Sequence, residues 1–198
     1  MSISTIIVNY NAGETLQQCV KALLKSREPT TITVVDNASS DGSAVSLQSF
    51  YGNRPNVEFL FNTSNLGFAP AVNAVAREAN TDWILILNPD CILGRDALFR
   101  LKAALENDDR AGLAGAAVND EYGQLQRATV RRFPDPWRSL MTASGLWRLG
   151  RWVPAFHGVE IQPAENLEDT QICDAVSGAC MLLRRAALEE VGYLDEAY

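Results

Sequence analysis

Five short apolar runs, each followed by a polar and turn-rich segment, set the rhythm of the first half of the chain: Thr5-Ile6-Ile7-Val8, Ile32-Thr33-Val34-Val35, Val57 to Phe61, Trp83 to Leu87 and Leu113 to Val118. Each has the length and character of a strand. Between them the apolar residues fall at helical spacing. Glu14 to Lys25 places Leu16, Val20, Leu23 and Leu24 on one face, Ser43 to Phe50 reads as a short helix, Phe68 to Ala79 is an alanine-rich helix preceded by Gly67, and Asp96 to Glu106 is a fourth. Strands alternating with helices predict a mostly parallel sheet with helices on both faces, an α/β fold of Rossmann-like type. Trp83-Ile84-Leu85-Ile86-Leu87 is apolar at every position, as a strand buried on both faces is.

The segments just past these strands carry the chemistry. The Trp83 run ends in Asn88-Pro89-Asp90, where proline fixes φ and donates no hydrogen bond, so the ladder stops and Asp90 is left at the strand end. Open α/β sheets bind ligands at that edge. A lone carboxylate there suits a divalent cation that also holds a diphosphate. The second strand runs into Asp36-Asn37-Ala38-Ser39-Ser40-Asp41-Gly42-Ser43, and the first into Asn9-Tyr10-Asn11-Ala12-Gly13, so three polar strand ends are expected at one edge. Asn9 and Tyr10 are placed to line a pocket at that edge, with the Tyr10 ring able to stack on a planar ligand. Amide groups near Gly67, at a helix start, are placed to face an anion, and Asn73 lies one and a half turns further along the same helix. Local roles compete with these. Asp90 can cap its own turn, Asp36 can close an Asx-turn, and Asp41 with Gly42 has the form of turn or helix-cap chemistry.

After Asn119 the character changes. Arg127, Arg131, Arg132, Arg138, Arg148 and Arg151 are interleaved with Trp137, Leu140, Met141, Leu146, Trp147 and Trp152. Three readings stay open: an amphipathic helix packed on the domain, a face touching a membrane surface, or a lid over an anionic donor. Glu160 to Thr170 is polar, contains proline and is expected to be a mobile loop. Val176 to Arg185 reads as a loop entering a strand, with Gly178 allowing close backbone approach to a ligand. A helix from Ala186 to Val191 leads into Gly192-Tyr193-Leu194-Asp195-Glu196.

Composition narrows the classes. A chain of 198 residues with 47% hydrophobic content fits one domain, 1–198, with one half to residue 118 and another of different character from 119. Its net charge of −7 argues against nucleic acid as a partner. Cys19, Cys91, Cys173 and Cys180 have no CxxC spacing and His157 is the single histidine, which argues against a Cys/His zinc site. Reduced thiols are expected, with Cys91 as a core residue. There is no basic, apolar, cleavable leader, and no apolar run approaches the roughly 18 residues a spanning helix needs. A cytoplasmic location is expected.

The ordered set IIVNYN, VVDNASSDGS, NLGFAPAVNAV, ILILNPD, VSGACMLLRR and GYLDE resembles the large inverting glycosyltransferase family with a GT-A fold, family 2, over essentially the whole chain. VDNASSDGS followed by NLGFA and NPD is most similar to its rhamnosyltransferase-like branch. The resemblance implies transfer of a sugar from a nucleotide-sugar donor, dTDP-rhamnose or a related dTDP-deoxysugar, to a cell-surface polysaccharide or lipid-linked acceptor, with inversion. It implies polysaccharide biosynthesis, at the inner face of the cell membrane if the acceptor is lipid-linked. It carries Mg²⁺ or Mn²⁺ onto Asp90, nucleotide binding onto Val8, Asn9, Tyr10, Asp36, Gly67, Asn73 and Asn88, and a donor/acceptor loop onto Ser177, Gly178 and Ala179. Where Asn88 stands, the family often has Asp. The acidic pair that comes after the LDE-like segment in the family, and supplies the catalytic base, is absent. The chain is therefore expected to be truncated, with its base beyond Tyr198. Asp195 and Glu196 are then only weak candidates for that role. Two other readings are a non-catalytic nucleotide-binding module and a sugar nucleotidyltransferase. The latter would need a glycine-rich basic loop after the first strand, which Asn9-Tyr10-Asn11-Ala12-Gly13 is not.

Overall fold

The computed structural model describes residues 2–120, 122–124, 126, 129–133, 135–159 and 170–197. It contains two compact units, one formed by residues 1–114 with 178–198 and the other by 115–177.

The first unit holds the alternating elements: β1 Ile3–Asn9, α1 Glu14–Leu23, β2 Thr31–Asp36, α2 Ser43–Tyr51, β3 Val57–Phe61, α3 Phe68–Glu78, β4 Trp83–Leu87 and α4 Ala97–Glu106. β3 and β4 have the bounds that the apolar runs predict. β1 pairs in parallel with β2 on one side and β4 on the other, and β2 pairs in parallel with β3. In this register Asn9 is level with Asp36, and Ile7 with Leu87, so the three polar strand ends do meet at one edge.

β1, β2 and β4 are buried on both faces, and their successive side chains point to opposite sides of the sheet. Ile6, Val8, Val35, Ile84 and Ile86 share a core with Ala71, Val72, Val75 and Ala76 of α3. Alternate residues such as Ile7, Val34, Leu85 and Leu87 turn to the opposite face, where α1, α2 and α4 bury Leu16, Val20, Leu47, Leu98 and Leu105. All five residues of β4 are almost wholly inaccessible. Truncating one of its isoleucines to alanine costs about 2–5 kcal/mol at such a site.

The last part of the sheet departs from simple alternation. The strand expected over Leu113–Val118 is only three residues long, β5 Leu113–Gly115, and it does not follow β4 in the sheet. Two short strands of the second unit, β6 Val130–Arg131 and β7 Ala175–Val176, come next in sequence. Only then does β8, Cys180–Arg184, enter the sheet, between β4 and β5 and antiparallel to β4. The sheet order is β3-β2-β1-β4-β8-β5. Arg184 fastens β8 there. Its backbone N–H donates to the Gly112 carbonyl at 2.9 Å and its side chain donates to the carbonyls of Ala111, Leu105 and Asp108. The closing helix, α6, covers Arg185–Val191, a residue earlier at its start than the pattern predicts.

In the second unit, β6 pairs antiparallel with β7. The arginine and tryptophan stretch does not form one amphipathic helix. α5 spans Pro136–Ser144, with Asp135 accepting from the Arg138 N–H at 2.8 Å as N-cap and proline in its first turn. Gly145, at φ 75°, ends it, because a left-handed residue closes a helix and glycine adopts that conformation freely. A 3-10 segment, Leu146–Arg151, comes after it. Residues 160–169, expected to be a mobile loop, lie outside the described residues, as does Arg127.

Candidate functional site

The cleft lies at the C-terminal edge of β1, β2 and β4, entirely within the first unit, and encloses about 570 Å³. That is the size range of small-molecule sites. Of the residues expected there, Val8, Tyr10, Gly67, Asn88 and Asp90 line it. Asn37, Asn65, Phe68 and Thr15 line it too, although the sequence pattern alone does not mark them as lining residues. Asn37 stands in plain view inside the VVDNASSDGS motif, but a buried asparagine and a turn asparagine look alike in sequence.

Behind the lining, the loops after β1 and β2 are joined by a polar network. Asn9 is fully buried, and its Nδ2 lies 2.7 Å from Asp36 Oδ1, 2.9 Å from Ser43 Oγ and 3.0 Å from Ser39 Oγ. Asp36 also accepts from the Ser39 hydroxyl at 2.6 Å and from the Ser39 N–H at 3.0 Å. Asp36 thus ties its own loop together and is buried, and neither it nor Asn9 is among the described residues that line the cleft. Asn11, at φ 54°, places its Oδ1 to accept from the Ser40 N–H at 2.8 Å. Ala38, at φ 60°, carries a strain of about 1–2 kcal/mol that a β-carbon imposes in the left-handed region. Asp41 accepts from the N–H and hydroxyl of Ser43 and from the Gly13 N–H, and these hydrogen bonds, those from Ser43 foremost, hold its carboxyl below the ordinary range.

Other candidate residues lie away from the described cleft lining or are engaged elsewhere. Asn73 does not reach the cleft lining; it is buried on α3, donating to the Leu194 carbonyl and Glu196 Oε1, both at 2.8 Å, and accepting from the Leu194 N–H at 3.0 Å. Glu196 is engaged there and by Arg77 at 3.3 Å, while Asp195 accepts from the Ala197 N–H at 2.9 Å. Neither carboxylate lines the cleft, so the weak candidacy of both as catalytic base finds no geometric support. Tyr198, past which the base is expected, lies outside the described residues. Gly67, at φ 89°, directs its N–H to Asn65 Oδ1 at 2.9 Å, so its own amide is taken. No side chain caps α3.

Asp90 is exposed at the cleft and accepts no hydrogen bond from the described residues. It is the only charged residue in the lining. Asn88 is fixed on both sides: its N–H donates to the Ala179 carbonyl at 2.9 Å, and its own carbonyl accepts from the Cys91 N–H at 3.1 Å and from Cys19 Sγ at 3.5 Å. The first of these bonds sets Ala179, at the start of β8, against the strand that presents Asp90. A β-carbon on Gly178 would meet nothing within 4 Å, so space is open beside that backbone. Ser177 belongs to the second unit, where its N–H donates to the Thr129 carbonyl at 3.0 Å. All four cysteines are free. Burial pushes the Cys19 thiol up, and burial with the Asp90 charge does the same for Cys91, so both stay protonated at neutral pH.

A free carboxylate with no cation nearby fits one divalent ion. An anionic ligand entering this cleft meets Asp90 alone, and like charges repel unless a cation bridges them. No group of three or more acidic, histidine or cysteine side chains is gathered for a metal among the described residues. Mg²⁺ does not need one, since it takes one or two carboxylates and completes its shell with phosphates and waters.

The sequence profile of glycosyl transferase family 2 matches residues 4–192. The N-acetylglucosaminyl-diphospho-decaprenol L-rhamnosyltransferase of Mycobacterium tuberculosis is 28% identical over 99% of this chain and 66% of its own length. The low-salt glycan biosynthesis hexosyltransferase Agl10 of Haloferax volcanii is 25% identical over 99% of the chain and 57% of its own. The chain therefore spans less than two thirds of these relatives. Among solved structures, the mannosyltransferase PcManGT of Pyrobaculum calidifontis in complex with GDP-Man and Mn²⁺ superposes with a TM-score of 0.65, at 18% identity, over 98% of this chain and 47% of its own. TarS residues 1–349 of S. aureus in complex with UDP gives 0.63, at 16% identity, over 100% of the chain and 51% of its own. These two show the shared GT-A fold.

Proposed function

Since the chain belongs to glycosyl transferase family 2, we propose that it binds a nucleotide-activated sugar in the cleft beside Asp90 and transfers the sugar with inversion to a glycan or lipid-linked acceptor. The observation that carries this reading is an Asp90 carboxylate that accepts no hydrogen bond from the described residues, in a cleft with no basic side chain among its described lining. The nucleoside is read at the β1 and β2 ends, where the exposed ring of Tyr10 offers a stacking face. Asp90 would hold Mg²⁺ or Mn²⁺, which would supply positive charge against a nucleoside diphosphate. Asn88, anchored by Ala179 and Cys91, fixes the direction in which Pro89 and Asp90 leave the strand.

A dTDP-deoxysugar such as dTDP-rhamnose is the donor favoured by the motifs and by the mycobacterial relative, whose own substrate is decaprenol-linked. A lipid-linked acceptor would bring the protein to the inner membrane face; no helix among the described residues is long and apolar enough to cross a membrane. One observation favours a non-catalytic binding module as the second reading: Asp90 is the single carboxylate in the cleft lining, and a base for the acceptor hydroxyl is not among the described cleft residues.

Thermal-shift measurements with dTDP-, UDP- and GDP-sugars, each with and without Mg²⁺ or Mn²⁺, test the donor site. A cation-dependent rise with at least one sugar nucleotide is expected, because ligand binding stabilises by mass action. No rise with any of them would overturn the proposal. Release of nucleoside diphosphate in the presence of an acceptor then separates the enzyme from the binding module.

A further inference from the structure

We propose that Asn37 is a positioning residue that sets the gap between the two walls of the nucleoside cleft, acting through the Gly67 carbonyl. This rests on the reading of the cleft as a nucleotide site. Asn37 is 2% exposed, and every part of it is tied to a different segment. Its N–H donates to the Asn9 carbonyl at the end of β1 (2.9 Å), its Nδ2 donates to the Gly67 carbonyl ahead of α3 (2.9 Å), and its Oδ1 accepts from Asn62 Nδ2 after β3 (2.8 Å). Asn62 is itself held by β2, donating its N–H to the Asp36 carbonyl at 2.9 Å.

The bond to Gly67 matters because that wall has little else to hold it. Among the described residues it is the only hydrogen bond tying residues 63–67 to the loops that follow β1 and β2. The Gly67 N–H turns back locally to Asn65, and α3 begins with no side-chain cap. Of the residues lining the cleft, Asn65, Gly67 and Phe68 come from the segment that leads into α3, and Tyr10 and Asn37 from the loops after β1 and β2. Asn88 and Asp90 follow β4, and the backbone bonds that anchor Asn88 do not involve Asn37. Loss of the bond should therefore loosen the nucleoside end of the cleft and leave the diphosphate end as it is.

Asn37→Asp tests this with a switch built in. An ionised carboxylate cannot donate to the Gly67 carbonyl, whereas a protonated one can, and either form still accepts from Asn62. Titration calorimetry would compare dTDP, UDP, GDP and inorganic diphosphate, each with Mg²⁺, on the unaltered protein and on Asn37→Asp, at several pH values. For the best-bound nucleotide, affinity should fall about tenfold near neutral pH, the loss expected for one buried hydrogen bond. It should recover, relative to the unaltered protein at the same pH, as the new carboxyl protonates, while diphosphate affinity stays within error. Asn62→Ala, which frees only Oδ1, provides a milder variant should Asn37→Asp not fold, and is expected to give a smaller loss confined to the nucleotides. Equal loss for nucleotide and diphosphate, or a nucleotide loss that pH does not restore, would make Asn37 a merely structural residue and overturn the inference. Unchanged nucleotide affinity in both variants would overturn it as well. If the unaltered protein binds no nucleoside diphosphate at all, the glycosyl-transfer reading fails and this inference with it.

Discussion

The amide nitrogen of Asn73 and the carboxylate of Glu196, 123 residues apart in the chain, lie 2.8 Å from each other. With the two bonds between Asn73 and the Leu194 backbone, they fasten the segment after α6 onto α3. Arg77, one turn further along α3, adds an exposed ion pair to Glu196 and lies over the Tyr193 ring at 5.0 Å. Each of these contacts reinforces the same docking.

Asn73→Ala should therefore lower stability while leaving nucleotide affinity unchanged. Removing a buried amide that makes three hydrogen bonds costs about 1–3 kcal/mol when partners are left unsatisfied. Urea unfolding gives the first quantity and calorimetric titration the second. A selective loss of nucleotide affinity at full stability would return Asn73 to the cleft.

Asp90→Asn should abolish the cation-dependent part of nucleoside diphosphate affinity and leave the fold unchanged. The carboxylate has no partner among the described residues, so its neutralisation removes no internal bond. Titration of the nucleotide with and without Mg²⁺ in both proteins checks this. Equal cation dependence in the two would show that the ion is held elsewhere.

Asp36→Ala should act on the loop before it acts on any ligand. The substitution strips an acceptor from Asn9 Nδ2 and from the hydroxyl and N–H of Ser39 in a buried network. A stability loss of about 1–3 kcal/mol is expected. Nucleoside affinity should weaken as a consequence, through the displaced Tyr10 and Asn37. A variant with weaker affinity and undiminished stability would instead give Asp36 a direct ligand contact.

Asp41 predicts a small acid dependence with a fixed sign. Its folded pKa lies below its ordinary value of 3.8, so its contribution is fully present above that value and is lost as pH falls through the lowered one. The group is exposed, so solvent screening keeps the effect small. Asp41→Asn cannot titrate, and its urea midpoint should fall less steeply than that of the unaltered protein below the ordinary carboxylate range. Identical acid slopes would show that the Ser43 and Gly13 bonds do not survive in solution.

The parallel half of the sheet is legible in the sequence because each strand, buried or, like the edge strand β3, largely exposed, is a nearly continuous apolar run that ends in turn chemistry. Val57–Phe61 and Trp83–Leu87 have the bounds that pattern gives. β8 is recognisable as a strand, yet nothing in its own residues says which strand it pairs with or in which direction; register comes from tertiary packing. The break in the arginine and tryptophan stretch did have local signals, Asp135-Pro136 at the start of α5 and Gly145 at its end. At the site, the apolar-to-polar switch after three strands marks the edge correctly. It does not tell a polar residue that faces the cleft from one that braces it, which is why Asn9, Asp36 and Asn73 look like ligand contacts and Asn37 passes unnoticed.

The place of β8 between β4 and β5 also sets an order of events during synthesis. β2 pairs with β1 and β3 with β2 as each emerges, and β4 joins the free side of β1 next. The other side of β4 then waits until residues 115–177 have been made. At about 5–20 residues per second that interval is on the order of ten seconds. Throughout it, an entirely apolar strand is the outermost one, with an unpaired row of N–H and C=O groups, the situation in which nascent chains pair with each other. Closing so long an excursion adds little to its entropic cost, which grows only with the logarithm of length. The delay is therefore a kinetic exposure rather than a thermodynamic one, and chaperone capture of the growing chain should be greatest between the emergence of Leu87 and that of Cys180.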